Sequence, residues 1–268
     1  MRKLSLLLIA ISLFIASCIP SLHPIYTVET RVFDERLEGR WINENENIKI
    51  QDLSFKNENN TKIDINKLEL KLEDDDVFDG VFGLSSFGYW EFQRAANIRY
   101  EKKGQNNSVT NVTLEFQMMN RPDSTLLAKG FNVAEIELLD FYVLEYSDLL
   151  DESESSEKMK VNLTEIGGDL YMDFEPLPEM REATRFSVNM IPAHTFAKVI
   201  LEDGRMIMKS FDSEYISELI KSKRVRLKHE LVEETIILTA STEELRAFIS
   251  KYGDDDELFM DNETLIAL

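Results

Sequence analysis

The sequence predicts an α+β fold, mostly antiparallel β-sheet with a few short helices concentrated in the C-terminal third. Two observations carry that expectation. Apolar residues recur at period two in many separate runs, the habit of strands with one buried and one wetted face. After Pro192 the texture changes, and two stretches of helical period appear, each with a capping residue in front. With 43% apolar and 10% aromatic residues the chain can bury a substantial core, which excludes disorder of the whole.

Taken in order, Arg2 and Lys3 form a positive head, Leu4 to Ile15 an apolar middle, and Ala16-Ser17 a pair of small residues before Cys18. That three-part layout predicts a secretory signal over residues 1–17. The apolar run is shorter than the roughly 20 residues of a spanning helix, is interrupted by Ser5 and Ser12, and is followed by Pro20. Residues 18–31 carry Pro20 and Pro24 and no clear period, so they read as an extended tether.

A β-rich domain is expected over 32–191. Phe33 to Glu38 can form a helical turn or two, ended by Gly39, and Arg40-Trp41-Ile42 then opens the sheet. The alternating runs are Ile48/Ile50, Ile63/Ile65, Leu68/Leu70/Leu72, Val112/Leu114/Phe116/Met118, Met159/Val161/Leu163, Leu170/Met172/Phe174 and Phe186/Val188/Met190. Phe131 to Tyr146 is apolar on both faces and fits a central strand, a bent pair of strands or a short buried helix. Asp148 to Glu157 is acidic and polar, a candidate flexible break.

Residues 192–268 form an α+β region, either continuous with 32–191 or a second unit. Phe196–Leu201 and Arg205–Lys209 flank Asp203-Gly204, a tight-hairpin signal. Asp212 caps a helix running to about Lys223, with Tyr215, Ile216, Leu219 and Ile220 on one face. Val225/Leu227 and Ile236/Leu238 read as strands. Ser241-Thr242-Glu243-Glu244 is a capping box before Leu245, Phe248 and Ile249, and Gly253 is placed to end that helix.

The formal charge is −20, or −22 without Arg2 and Lys3. Nucleic-acid binding, which needs clustered cations, is excluded on that balance. The same excess repels anionic lipid, so an anchor rather than electrostatics is expected to hold the body near a membrane.

The chemistry-bearing residues are sparse. Three histidines far apart and a single cysteine predict no metal centre, and the Asp74-Asp75-Asp76 and Asp254-Asp255-Asp256 runs fail the calcium-loop template. Gly83 to Gly88 has its glycines one residue too far apart for a nucleophile elbow. A Ser/His/Asp set drawn from Ser85 or Ser86, His194 and Asp173 is conceivable but unselected. His194 stands at a strand entrance after Pro192-Ala193, where a structural hydrogen bond is the simpler reading. His229 shares the phase of Val225 and Leu227. No phosphate loop or dinucleotide fingerprint occurs, so no cofactor and no catalytic residue are expected.

Ile15-Ala16-Ser17-Cys18 resembles the lipobox of bacterial lipoproteins: an aliphatic residue, two small ones and the obligatory cysteine. The resemblance implies cleavage before Cys18, diacylation of its thiol and acylation of the new amine by palmitate-type chains. Two or three such chains anchor durably, since each buried methylene contributes about 0.8 kcal/mol. Ile19, rather than Asp, follows the cysteine, which implies delivery to the outer membrane. The alternative is an ordinary secretory signal with an incidental cysteine. Gly39-Arg40-Trp41 is similar to the first-strand Gly-x-Trp of lipocalins, whose barrels hold apolar ligands. Ser21 to Tyr26, Leu37 to Trp41, Gly167 to Phe174 and Leu238 to Leu245 together resemble lipoproteins of Bacteroidota-type bacteria that have no assigned activity. The expected function is therefore a lipid-anchored envelope lipoprotein with a non-catalytic binding or structural role, partnered by the membrane through Cys18 and by an envelope protein or apolar ligand. The alternatives are an envelope hydrolase using carboxylates or His194, and a lipocalin-like carrier.

Overall fold

In the computed structural model the described residues are 19–44, 88–104, 108–148, 157–177, 192–232, 235–260 and 262–268. Twelve strands are described: β1 Arg31–Val32, β2 Gly39–Asn43, β3 Gly88–Lys103, β4 Val109–Met118, β5 Asn132–Asp148, β6 Glu157–Ile166, β7 Asp169–Pro176, β8 Thr195–Glu202, β9 Arg205–Ser210, β10 His229–Val232, β11 Thr235–Leu238 and β12 Glu263–Ala267. Three α-helices join them: α1 Ser124–Ala128, α2 Ser213–Lys221 and α3 Thr242–Tyr252.

Neighbouring strands run β6-β5-β3-β2-β12-β9-β8-β7, and β7 pairs back onto β6 from Met159↔Pro176 to Ile166↔Asp169. All these pairings are antiparallel, so the sheet closes into an eight-stranded barrel. This corrects the α+β expectation: the protein is essentially all-β, its helices are accessory, and α1 lies mid-chain rather than in the C-terminal third. Alternation along a strand reports which face is buried, but it does not report what lies at the strand's edges. Closure depends on pairings that no local pattern encodes, above all β12 inserted between β2 and β9 (Leu265↔Asn43 and Leu265↔Met206).

The inward positions follow the pleat. Trp90 and Phe92 of β3 face Tyr146 and Leu144 of β5, Met172 and Phe174 of β7 face Leu163 and Val161 of β6, and Val199 and Leu201 of β8 face Met208 and Met206 of β9. All are buried in one cluster with Trp41, Ala197 and Leu265, so side chains fill the barrel. Gly88 is required where β3 enters the wall, because any Cβ there would collide with the Tyr146 ring.

β3 and β5 are longer than the barrel is tall. At Arg94/Ala96 the ladder shifts register, and beyond it β3 pairs with β4 instead of β2. Such bulges bend a strand, and here they carry β3 and β5 outward into a three-stranded arm with β4. The 16-residue β3 was not among the alternating runs read from the sequence: Ala96, Ile98 and Tyr100 do alternate with Asn97, Arg99 and Glu101, but the adjacent buried Ala95 and Ala96 break the phase with the first half of the strand.

A second core lies outside the wall of β7 and β8. Tyr171 and Phe196 face outward there and meet Ile216, Leu219 and Ile220 of α2, Leu245, Phe248 and Ile249 of α3, and Ile236 and Leu238 of β11. The helices start where the caps place them. Asp212 accepts hydrogen bonds from the N–H groups of Glu214 and Tyr215, and Ser241 and Glu244 form the reciprocal capping box. Of the sequence-read strands, Val225/Leu227 is instead an extended approach to β10, and Ile48/Ile50, Ile63/Ile65, Leu68 to Leu72 and Phe186 to Met190 lie outside the described residues. Because β7 pairs with β8 and β2 with β12, residues 32–191 and 192–268 contribute to one barrel.

Candidate functional site

Residues 19–31, read from the sequence as a tether, are built into the body. The Ser21 N–H donates to the His194 carbonyl at 2.9 Å, and the His194 N–H returns a bond to the Ser21 carbonyl at 2.8 Å. On the other side the Leu22 N–H donates to the Leu238 carbonyl and the Leu238 N–H to the Pro20 carbonyl, at 2.9 and 2.8 Å. Ile19 and Ile25 are buried in the outer core. The prolines misled: Pro20 lacks an N–H but still accepts through its carbonyl, and Pro24 sits in the bend between two pairings.

Beneath this segment lies the most buried polar constellation among the described residues. Asp173 is on the outward phase of β7 and wholly inaccessible, yet it is fully engaged. One carboxylate oxygen lies 2.7 Å from His194 Nδ1, and the other accepts the Ile25 N–H at 2.8 Å. Burial pushes the Asp173 carboxyl upward, opposed by the hydrogen bond and charge of His194 and by the Ile25 N–H. Two residues along the same face, Glu175 takes Lys160 Nζ at 2.7 Å and the Tyr26 hydroxyl at 3.0 Å. Burial works to raise Glu175, but the bond and charge of Lys160 prevail and hold it below its ordinary value. Burial, reinforced by the Glu175 charge, drives the Tyr26 phenol far up, so it stays a donor.

These signs give opposite pH dependences. Glu175 is depressed, so its contribution to stability is present above the ordinary carboxylate value of about 4.5 and is lost as pH falls through the folded value. Asp173 is raised, so its contribution is greatest below its ordinary value and fades as pH rises through the folded one. Glu175→Gln should therefore lose less stability on acidification below about pH 5 than the unmodified protein does. Urea melts at stepped pH would read the difference, and equal slopes in the two proteins would contradict it.

The arrangement has half of a nucleophile-activating device. A carboxylate on Nδ1 fixes an imidazole's orientation and tautomer, as triads require. The third member is missing among the described residues. The Ser21 hydroxyl donates to the His23 carbonyl at 2.8 Å and accepts the His23 N–H at 3.2 Å, so it closes its own turn. Ser85 and Ser86, named with His194 and Asp173 from the sequence, lie outside the described residues, as do Asp74 to Asp76 and Cys18. The structure thus brings His194 and Asp173 together, a pairing that sequence reasoning named without being able to select it. His229 is elsewhere, its Nδ1 2.8 Å from the Leu227 carbonyl.

Sequence reasoning missed a second cluster on the opposite wall. Arg121 reaches Glu145 at 2.7 Å and Glu91 by its other nitrogen, while Arg40 also binds Glu91 at 2.9 Å. Two guanidinium groups against two carboxylates leave no free charge, and the cluster pins the segment before α1 to the barrel. A cleft of about 290 Å³ opens at the barrel mouth between Glu38, Arg40, Trp41 and Asp203. Among the described residues, no group of three or more histidine, cysteine or acidic side chains converges to hold a metal, and no helix is long and apolar enough to cross a membrane. No protein-family model, curated protein or solved structure matches this chain.

Proposed function

We propose that this is a lipid-anchored lipoprotein of the bacterial cell envelope, held in the outer membrane by acyl chains on Cys18 and serving a non-catalytic binding or structural role. The observation that carries the reading is the Ile15-Ala16-Ser17-Cys18 motif at the end of a short apolar run, on the one cysteine of the chain. The body supports the non-catalytic part. Its best-placed histidine is coupled to a buried carboxylate and a backbone bridge, which is how a structural histidine is used. An eight-stranded barrel also fits a carrier of an apolar ligand, the second reading, but here Trp41, Trp90, Phe92 and Phe174 occupy the interior where such a ligand would sit.

The anchor is tested by Cys18→Ser. In a bacterial host given radiolabelled palmitate, the unmodified protein should carry label and sediment with the membranes, and the variant should carry none. Equal incorporation by the two proteins would refute the assignment.

A further inference from the structure

An anchor on Cys18 would leave no free tether before the body, because Ile19, the next residue, is already buried in the outer core. The Ser21 pairing with Leu238 is parallel, so the chain followed back from Ser21 to Ile19 runs beside β11 toward the β10–β11 turn. Ile19 and Ser21 point into the outer core, whereas Pro20 and Leu22 are partly exposed on the other face. Cys18 is the next residue, one peptide unit or about 3.8 Å from Ile19 between Cα atoms. Acyl chains on Cys18 would therefore begin beside the ribbon made of Pro20–Leu22, β11 and β10.

The outer face of that ribbon suits an anionic bilayer. Burial alternates along the approach to β10: Val225 and Leu227 are buried, and Arg224, Arg226 and Lys228 are exposed. Val232, 53% exposed, follows in the same phase together with Glu230, and Ile237 of β11 lies on that face opposite Glu230. Residues 221–234 hold five cations against Glu230, Glu233 and Glu234, in a chain of thirty cations and fifty carboxylates. Lys228 is paired with Glu244, but Lys221, Lys223, Arg224 and Arg226 meet no carboxylate among the described residues. By contrast Arg31, Arg36, Arg40, Arg94, Arg99, Arg121 and Arg205 are all ion-paired. Unpaired cations beside an exposed aliphatic side chain, Val232, form the pattern that seats on head groups.

We propose that this face, centred on Arg224, Arg226 and Val232, lies flat against the anionic phospholipid surface in which the Cys18 chains are inserted. The proposal rests on the lipoprotein reading and refines the whole-chain charge argument: the body as a whole is repelled by anionic lipid, but this face is attracted.

The test uses the mature lipidated protein in vesicles of phosphatidylethanolamine and phosphatidylglycerol. With Cys18 acylated, a cysteine placed by Val232→Cys is the reactive thiol and takes an environment-sensitive fluorophore. A control label is placed by Ile136→Cys, on the arm that leaves the barrel from the side opposite β8. Lipid-borne quencher should act several-fold more strongly on the Val232→Cys label than on the Ile136→Cys label, and Lys223→Glu/Arg224→Glu/Arg226→Glu should abolish most of that difference. A vesicle-bound protein whose Val232→Cys label is quenched no more than the control overturns the proposed orientation and leaves the anchor intact. Undiminished contrast in the charge-reversed protein overturns the role of the cations. A protein that neither carries acyl chains nor floats with vesicles defeats the lipoprotein reading, and this proposal with it.

Discussion

Replacing Asp173 by alanine should cost about 3–5 kcal/mol of folding stability, the scale for removing one member of a fully buried charged or hydrogen-bonded pair. Asp173 is inaccessible, and its two oxygens tie together elements far apart in sequence: β7, the strand entrance at His194, and the N-terminal segment at Ile25. Without it the imidazole of His194 and the N–H of Ile25 would be left in a desolvated site, each an unsatisfied polar group. The N-terminal segment should loosen first around Ile25, leaving it held by the Ser21 and Leu22 backbone pairings, the Tyr26–Glu175 bond and Arg246 on the Ile25 carbonyl. Asp173→Asn retains one acceptor and one donor and should cost less. The measurement is the urea midpoint of each variant together with proteolysis between Ile25 and Arg31. If Asp173→Ala melts with the unmodified protein and its N-terminus resists protease, the carboxylate is not holding the segment.

That node also shows where sequence reading stops. Asp173 stands between Met172 and Phe174 in an alternating run, where alternation predicts a solvated side chain. It is outward with respect to the barrel, as the pattern says, but a second layer covers that wall. The alternation is therefore correct and its usual corollary fails, because period two distinguishes two faces without revealing that both are covered. The same limit hid the barrel. β6, β7, β8 and β9 were readable as strands because their partners are close in sequence and Asp203-Gly204 marks a turn. β12 was not, since Leu265 has meaning only beside Met206 and Asn43. The two capped helices α2 and α3 were the most legible elements, because a cap is a local hydrogen bond between residues two or three apart, whereas five-residue α1, capped by Asp123, was not read. His194 was flagged for its turn, but its partner required the fold.

Trp41→Ala should be the most damaging change in the barrel interior, at about 3–5 kcal/mol. Trp41 is 2% exposed, lies opposite Trp90 across the β2–β3 pairing, and packs in the cluster that holds Phe92 and Leu265. Its indole N–H donates to the Leu37 carbonyl at 2.9 Å, fixing the short helical turn at Glu35–Leu37 across the barrel mouth. Alanine removes both the packing and that bond, and the rigid wall of paired strands cannot collapse to fill the space. The void would open beside the mouth cleft, so the variant should acquire binding of a fluorescent fatty acid that the unmodified protein, with its interior full, does not show. This outcome separates the two readings of the barrel. Tight binding by the unmodified protein, lost in Trp41→Ala, would instead mean that the indole lines a ligand cavity and that the protein is a carrier. No binding by the unmodified protein with a gain in the variant would mean that side chains close the barrel and that its surfaces do the work.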